Sequence, residues 1–162
     1  MKLAREFALE DFELAVHETK TSEVIENVHN HRSELGILYL NDFNRKAMQK
    51  IFAENDLEFT ELFQCDVYVY LSNHHPLAGR DKITFEELGD YPCLSFEQGD
   101  KNSFYFAEEV FSTLQYKQMI KADDRATMLN LMVGMNGYTL CSGIICEELN
   151  GDGYSAIPLE TD

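Results

Sequence analysis

The sequence predicts an α/β fold. Strand-like and helix-like segments alternate along nearly the whole chain, and several apolar runs have the length of strands buried in a sheet. With 162 residues, 44% hydrophobic and 12% aromatic, the chain can also fill a core as one compact unit or as two small lobes.

Lys2 to Leu9 reads as the end of a helix, and Phe12 to Glu18 alternates Phe12, Leu14 and Val16 in the manner of a strand. A helix follows at once, with Thr21 or Ser22 as N-cap, Val24, Ile25 and Val28 as its buried stripe, and the polar stretch from Asn30 to Ser33 as its end. Leu35 to Leu40 is almost continuously apolar, the pattern of a strand buried on both faces. Asn44 opens a second helix carrying Ala47, Met48, Ile51 and Phe52 on one face; Asn55 and Asp56 stop it before a strand near Glu58 to Phe63. Asp66 to Leu71 alternates β-branched and aromatic residues, another strand.

His75-Pro76 turns the chain, and Thr84 with Glu87 forms a capping box for a short helix that Gly89 closes. Cys93 to Phe96 returns as a strand. A helix over Ser103 to Leu114 buries Phe104, Ala107, Phe111 and Leu114, and Lys117 to Ala122 is the strand after it. Asp123 or Asp124 caps a helix that buries Met128, Leu129, Met132 and Val133 and ends at Gly134. Tyr138 to Cys141 is a strand, Ile144 to Leu149 a short helix, and Tyr154 to Leu159 a last strand whose Pro158 suits a sheet edge.

Charge and cysteine usage exclude several functions. The chain has 29 Asp and Glu against 13 Lys and Arg, a formal net charge of −16, which repels phosphate backbones. The longest apolar stretch, Ala126 to Ile145, is broken by Asn130, Gly134, Asn136, Gly137, Thr139 and Ser142 and is not a bilayer span. The N-terminus has Arg5, Glu6, Glu10 and Asp11 where a signal peptide needs an apolar run, so a cytoplasmic location is expected. Cys65, Cys93, Cys141 and Cys146 read as buried reduced thiols, and the C-x4-C spacing of the last two lacks the second pair or nearby His of a zinc site. His29 and His31 face different ways on a helix, and His74 and His75 read as solvated turn residues. Ser142 lacks a nucleophile elbow, and no cofactor, metal or catalytic set is expected. The acidic runs Glu108-Glu109 and Glu147-Glu148 read as solvated helix faces.

Three stretches, in order, carry a resemblance. HETKTSEVIENVHNHRSELGIL has a strand, a Thr/Ser helix start and an acidic-L-G-I strand; HHPLAGRDKITFEELGDYPCLSF matches an H-P-L-A segment with its spaced Ile, Leu and Pro; TMLNLMVGMNGYTL is similar to a helix followed by V-x-x-G-x-G-I. Together they resemble the effector-binding domain of LysR-type transcriptional regulators. That resemblance implies a type 2 periplasmic-binding-protein fold of two Rossmann-like lobes, residues 1–63 and 64–162, with a metabolite in the cleft between them. It also implies that the family's winged helix-turn-helix is absent and that lobe one is incomplete at both ends. Cys141-Ser142-Gly143 departs from the Leu-Pro pair of many members.

Thr19, Lys20, Thr21 and Ser22 follow a strand and start a helix, so hydroxyls and free N–H groups there suit an anion; the alternative is an ordinary N-cap. Ser95, Phe96, Glu97 and Gln98 hold the equivalent strand end in lobe two, which the resemblance places beside the cleft; the alternative is a surface turn at Gly99. Arg125 either meets a ligand carboxylate or pairs with Asp123 or Asp124, and Thr127 shares its helix start. Tyr138 either approaches the cleft, as the family's glycine motif does, or fills the core.

The expected function is therefore sensing of a small effector, a carboxylate or amino-acid-like metabolite. Alternatives are a stand-alone solute-binding protein of the same fold or a small α/β enzyme. DNA would be contacted only through a winged helix this chain lacks. A sheet missing its first strand exposes an edge, so a homo-oligomer is expected, with Lys2 to Leu9 or the open edge at a contact.

Overall fold

A computed structural model of the chain describes residues 13–99, 103–144 and 151–161. Its centre is a five-stranded sheet: β1 (Tyr68–Ser72), β2 (Cys93–Phe96), β3 (Met119–Ala122), β4 (Tyr138–Cys141) and β5 (Tyr154–Pro158), in the order β3-β2-β4-β1-β5. β2 runs parallel to β3 and β4, and β1 runs antiparallel to β4 and β5. Pro158 lies on an edge strand, where its missing N–H costs no ladder bond.

The alternation in β1 feeds two layers of core. Val69 and Leu71 pack on one face with Ile83, Leu88, Cys93, Tyr138, Leu140 and Ile157; Tyr70 packs on the other with Leu94, Ala122, Met128 and Met132. A fully buried Leu71 contributes roughly 2 kcal/mol by removal from water alone. The second face is covered by α5 (Arg125–Met135), which Asp124 caps by accepting the Thr127 N–H at 2.8 Å. The helix runs one residue past Gly134, and Asn136 takes the left-handed position at φ 50°.

The short helix α3 (Phe85–Leu88) begins with the expected capping box: Thr84 accepts the Glu87 N–H while Glu87 accepts the Thr84 N–H. Before it, His75 is not solvated but 4% exposed. Its Nδ1 accepts the Leu77 N–H at 3.0 Å, so the proton sits on Nε2 and is donated to the Asn136 carbonyl at 2.9 Å. The H-P-L-A turn is thereby pinned to the end of α5. Burial lowers the His75 pKa, with the Asn136 contact opposing it. Of the cysteines, Cys93 is buried and Cys141 half-buried, but Cys65 is exposed, and Cys146 lies outside the described residues.

The N-terminal part is helical. α1 (Thr21–His29) and α2 (Arg45–Glu54) pack through Ile25, Met48 and Phe52, joined by Leu38, Leu40, Ile51, Leu57 and Phe59. The three strands expected at Phe12 to Glu18, Leu35 to Leu40 and Glu58 to Phe63 do not form among the described residues, which there have no regular secondary structure; Phe12 itself lies outside them. In particular Leu35 to Leu40 is covered on one face only. Leu38 and Leu40 face the helices, and Leu35 and Ile37 are 86% and 79% exposed, because among the described residues no strand pairs with the segment. Gly36 is required on the covered face: an added Cβ would stand 2.6 Å from a Val24 methyl and 3.2 Å from one on Val28.

The helix expected over Ser103 to Leu114 is a single turn, α4 (Ser103–Phe106), followed by turns. Phe104 and Leu114 are exposed, and Phe111 sits at φ 62°. The chain leaves the helix because its side chains serve two masters: Phe106 joins the core of α1 and α2, whereas Phe111 packs edge-on against Phe85 in the sheet core. Beyond Ile144 the helix expected over Ile144 to Leu149 falls outside the described residues, as does the Lys2 to Leu9 segment.

Candidate functional site

Parallel strands present their ligand sites at carboxyl ends, and in this sheet the carboxyl ends of β2 and β3 lie side by side, with the Glu97 N–H donating to the Ala122 carbonyl at 2.9 Å. β3 leads directly into α5, so the N-terminus of that helix opens at the same place. The N-terminus of α1 faces it across the boundary between the helical part and the sheet. The Thr21 N–H donates to Gln98 Oε1 at 3.0 Å, and Thr21 Oγ1 donates to the Phe106 carbonyl at 2.8 Å. Two helix N-termini, each carrying partial positive charge, thus converge on the ends of two strands.

Within the first group, Thr21 is not the N-cap: Lys20 holds that position in extended geometry, and its carbonyl accepts the Val24 N–H at 3.0 Å. Freed from capping, the buried Thr21 hydroxyl points to the Phe106 carbonyl instead. Thr19 donates its hydroxyl to Glu23, and Ser22 is half-buried one position on.

Of the second group, Ser95 and Gln98 are buried. Phe96 N–H donates to Glu109 at 2.9 Å and the Ser95 hydroxyl to Glu109 at 3.2 Å. Glu97 accepts the Gly99 N–H and pairs loosely with Lys121 at 3.9 Å. Gly99 itself stands at φ 89°, close to the Lys20 ammonium, so both parts of the molecule meet at this turn.

Arg125 pairs neither with Asp123 nor with Asp124. It reaches across the boundary to Glu18 at 2.5 Å, while Asp124 is used by Thr127, whose hydrogen bonds hold the Asp124 carboxyl below its usual range. Thr127 is exposed on the first turn of α5. Tyr138 stands apart from the rest. It opens β4 level with Cys93, at the amino end of the parallel strands, and is 2% exposed in the sheet core. The structure therefore brings Thr21, Ser95, Phe96, Gln98 and Arg125 to one region and leaves Tyr138 in the packing beneath.

Residues that the sequence assigned to other roles complete the region. Glu109 is no solvated helix face: it is 8% exposed, turned inward onto Ser95 and Phe96. Burial pushes its pKa up, with the Phe96 amide, the Ser95 hydroxyl and Lys121 acting in the other direction. Asn44 is buried beneath α4 and donates to the Tyr105 carbonyl at 3.2 Å while accepting the Asn41 N–H at 2.8 Å. Helical periodicity gave no signal for Glu109, since it lies off the Phe104, Ala107, Phe111 stripe. A cavity of about 250 Å³ opens beside Ser95, walled by Gln98, Phe104, Ala107, Met119 and Lys121.

Among the described residues no group of three or more His, Cys, Asp and Glu stands close enough to hold a metal, and no helix is long and apolar enough to cross a membrane. Burial pushes the Cys93 thiol up to about 12, which keeps it protonated and unreactive.

The sequence profile of the LysR substrate binding domain matches residues 5–162. No curated protein matches the chain. Among solved structures, the effector binding domain of QuiR in complex with shikimate is 17% identical, with a TM-score of 0.64 over 99% of this chain and 74% of that one. HinK, a LysR family transcriptional regulator from Pseudomonas aeruginosa, is 16% identical with a TM-score of 0.63; the alignment covers 99% of this chain and 53% of HinK, so the chain spans about half of that protein's length. The oxidized form of OxyR is 19% identical with a TM-score of 0.58, covering 98% of this chain and 70% of that one. At these identities the likeness establishes the fold.

Proposed function

The chain belongs to the LysR substrate binding domain family and has its type 2 periplasmic-binding-protein-like fold, and from that premise we propose that it senses a small metabolite held between residues 1–63 and residues 64–162, as two lobes. The observation that carries this reading is the meeting of Thr21, at the start of α1, with Gln98, at the carboxyl end of β2. A ligand that replaces such a contact bridges the two lobes and biases the angle between them, a population shift that a complete regulator relays to a DNA-binding module.

Thr19, Lys20, Thr21 and Ser22 on one lip, with Ser95, Phe96, Glu97, Gln98, Arg125 and Thr127 on the other, are the proposed contact residues; Tyr138 supports them from the core. Their donors suit a carboxylate or amino-acid-like metabolite. The proposed protein is cytoplasmic and has no enzymatic role. It associates with a second copy through the uncovered side of residues 35–40, where Leu35 and Ile37 face solvent. Sedimentation velocity tests that association: a Leu35→Asp, Ile37→Asp variant is expected to be monomeric where the parent dimerises.

The sensing function is tested by thermal shift against amino acids, organic acids and sugar phosphates, with turnover of a generic ester followed in parallel. A rise in Tm with one ligand class and no turnover is the expected result. Turnover abolished by replacing a cleft residue would make the chain an enzyme instead.

A further inference from the structure

Four donors at the proposed cleft, those of Thr21, Ser95 and Phe96, are already satisfied by acceptors from one stretch of chain. The Thr21 N–H is taken by Gln98, the Thr21 hydroxyl by the Phe106 carbonyl, and the Phe96 N–H and Ser95 hydroxyl by the two carboxylate oxygens of Glu109. All three acceptors belong to the connection between β2 and β3. Glu109 is the unusual member. It is a carboxylate at 8% exposure with no cation within ion-pairing distance among the described residues, the nearby Lys121 being drawn to Glu97. A buried carboxylate without a partner charge is costly, and two hydrogen bonds are what hold it there.

The donors Glu109 occupies are the kind an external carboxylate uses: a backbone N–H at a strand end and a serine hydroxyl, beside an open cavity of about 250 Å³. The cavity is lined by the apolar Phe104, Ala107 and Met119 and by one cation, Lys121, and its size, just under the usual range for small-molecule sites, suits a compact ligand. From the pairing of Glu109 with Ser95 and Phe96, two residues that line this cavity, we infer that Glu109 is a tethered stand-in for the effector's own carboxylate, and that the effector binds by displacing it.

This rests on the sensing function proposed above and adds to it both a ligand class and a competitor built into the chain. The effector is a small carboxylate with a compact apolar body. Its affinity is reduced by the effective concentration of Glu109, and its arrival releases the connection that ties Phe106 to the helical lobe. No bond is made or broken in the exchange; one carboxylate replaces another.

Isothermal titration of the full chain, wild type and Glu109→Gln, with shikimate, benzoate and succinate as anions and putrescine as a cation, tests the inference. Glutamine keeps the shape of the side chain and removes its charge. The expected result is that at least one carboxylate binds Glu109→Gln ten-fold or more tightly than wild type, with putrescine unimproved. Equal or weaker carboxylate binding by the variant overturns it. So does putrescine binding that the variant loses, since Glu109 would then be a receptor for cations; sensing itself would survive that outcome. Binding of none of the four by either protein overturns the inference and counts against sensing as well. Should Glu109→Gln fail to fold, the carboxyl-carbon NMR resonance of Glu109 in the wild type answers the same question. Displacement moves it to the shift of a solvated glutamate when the carboxylate is added, and an unmoved resonance with ligand bound refutes displacement.

Discussion

Replacing Thr21 with valine removes one hydrogen bond between the helical part and the sheet connection and almost nothing else. Valine has the same shape, keeps the β-branch and differs little in helix propensity, so neither a cavity nor a propensity change accompanies the loss. The Thr21 N–H still donates to Gln98. What is lost is the 2.8 Å bond from the hydroxyl to the Phe106 carbonyl, at a residue that is almost fully buried. A neutral hydrogen bond contributes about 0.5–1.5 kcal/mol net, and an acceptor left without a partner in a buried place costs about 1–3 kcal/mol, so a loss of about 1–2 kcal/mol is expected. In a chain of this length that is a fall in Tm of about 3–6 °C. Urea denaturation followed by circular dichroism reads it directly, with an unchanged slope. Asn44→Ala, which removes the bond to the adjacent Tyr105 carbonyl, should couple to it in a double-mutant cycle by about 0.5 kcal/mol or more. A Thr21→Val loss under about 0.3 kcal/mol, or strict additivity, would mean that α4 is not held against α1 in this way.

Three further outcomes follow from the same contacts. His75 has a lowered pKa in the folded state, so below about 6.5 the unfolded chain takes up a proton that the folded one refuses. Stability is therefore lost as pH falls through that window, by at most about 1.4 kcal/mol per pH unit, and urea titrations from pH 7 to 5 should show this component vanish in His75→Gln. Thr84→Ala removes the half of the α3 capping box made by the Thr84 hydroxyl, leaving the Thr84 N–H on Glu87, and should cost about 1 kcal/mol by the same assay. Gly36→Ala drives a methyl to 2.6 Å from a short, branched Val24 side chain that cannot swing away, and a loss of about 1–3 kcal/mol is expected; Gly36→Ala with Val24→Ala should recover part of it.

The sheet was legible because its signals are local. The alternation of Asp66 to Leu71, the capping box at Thr84 and Asp124 ahead of an apolar stripe each specify an element within a few residues. The helical part was legible for its helices and not for its strands. Leu35 to Leu40 reads as doubly buried by composition alone, yet a strand is defined by neighbours, and composition carries no record of whether a neighbour is there. The segment after Ser103 failed for another reason. Its stripe of Phe104, Ala107 and Phe111 has helical spacing, but Phe106 and Glu109, which lie off that stripe, are bound by groups far away in sequence, Thr21 and Ser95. Tertiary contacts of that kind override a weak local preference. The proposed contact residues around Thr21 and Ser95 come from an expected strand end at each, of which only the one at Ser95 forms among the described residues, whereas Glu109, which accepts from Ser95 and Phe96, left no mark on the periodicity.

The central claim is that a metabolite binds where the start of α1 meets the carboxyl end of β2. A ¹H–¹⁵N titration with whichever compound stabilises the protein in thermal shift tests it most directly. The Thr21, Phe96 and Gly99 amides should move together, with one saturation curve, while Val69 and Ile157 in the sheet core stay in place. Saturable shifts confined to the Tyr116 and Lys117 side of the sheet, with Thr21 and Phe96 unmoved, would contradict it.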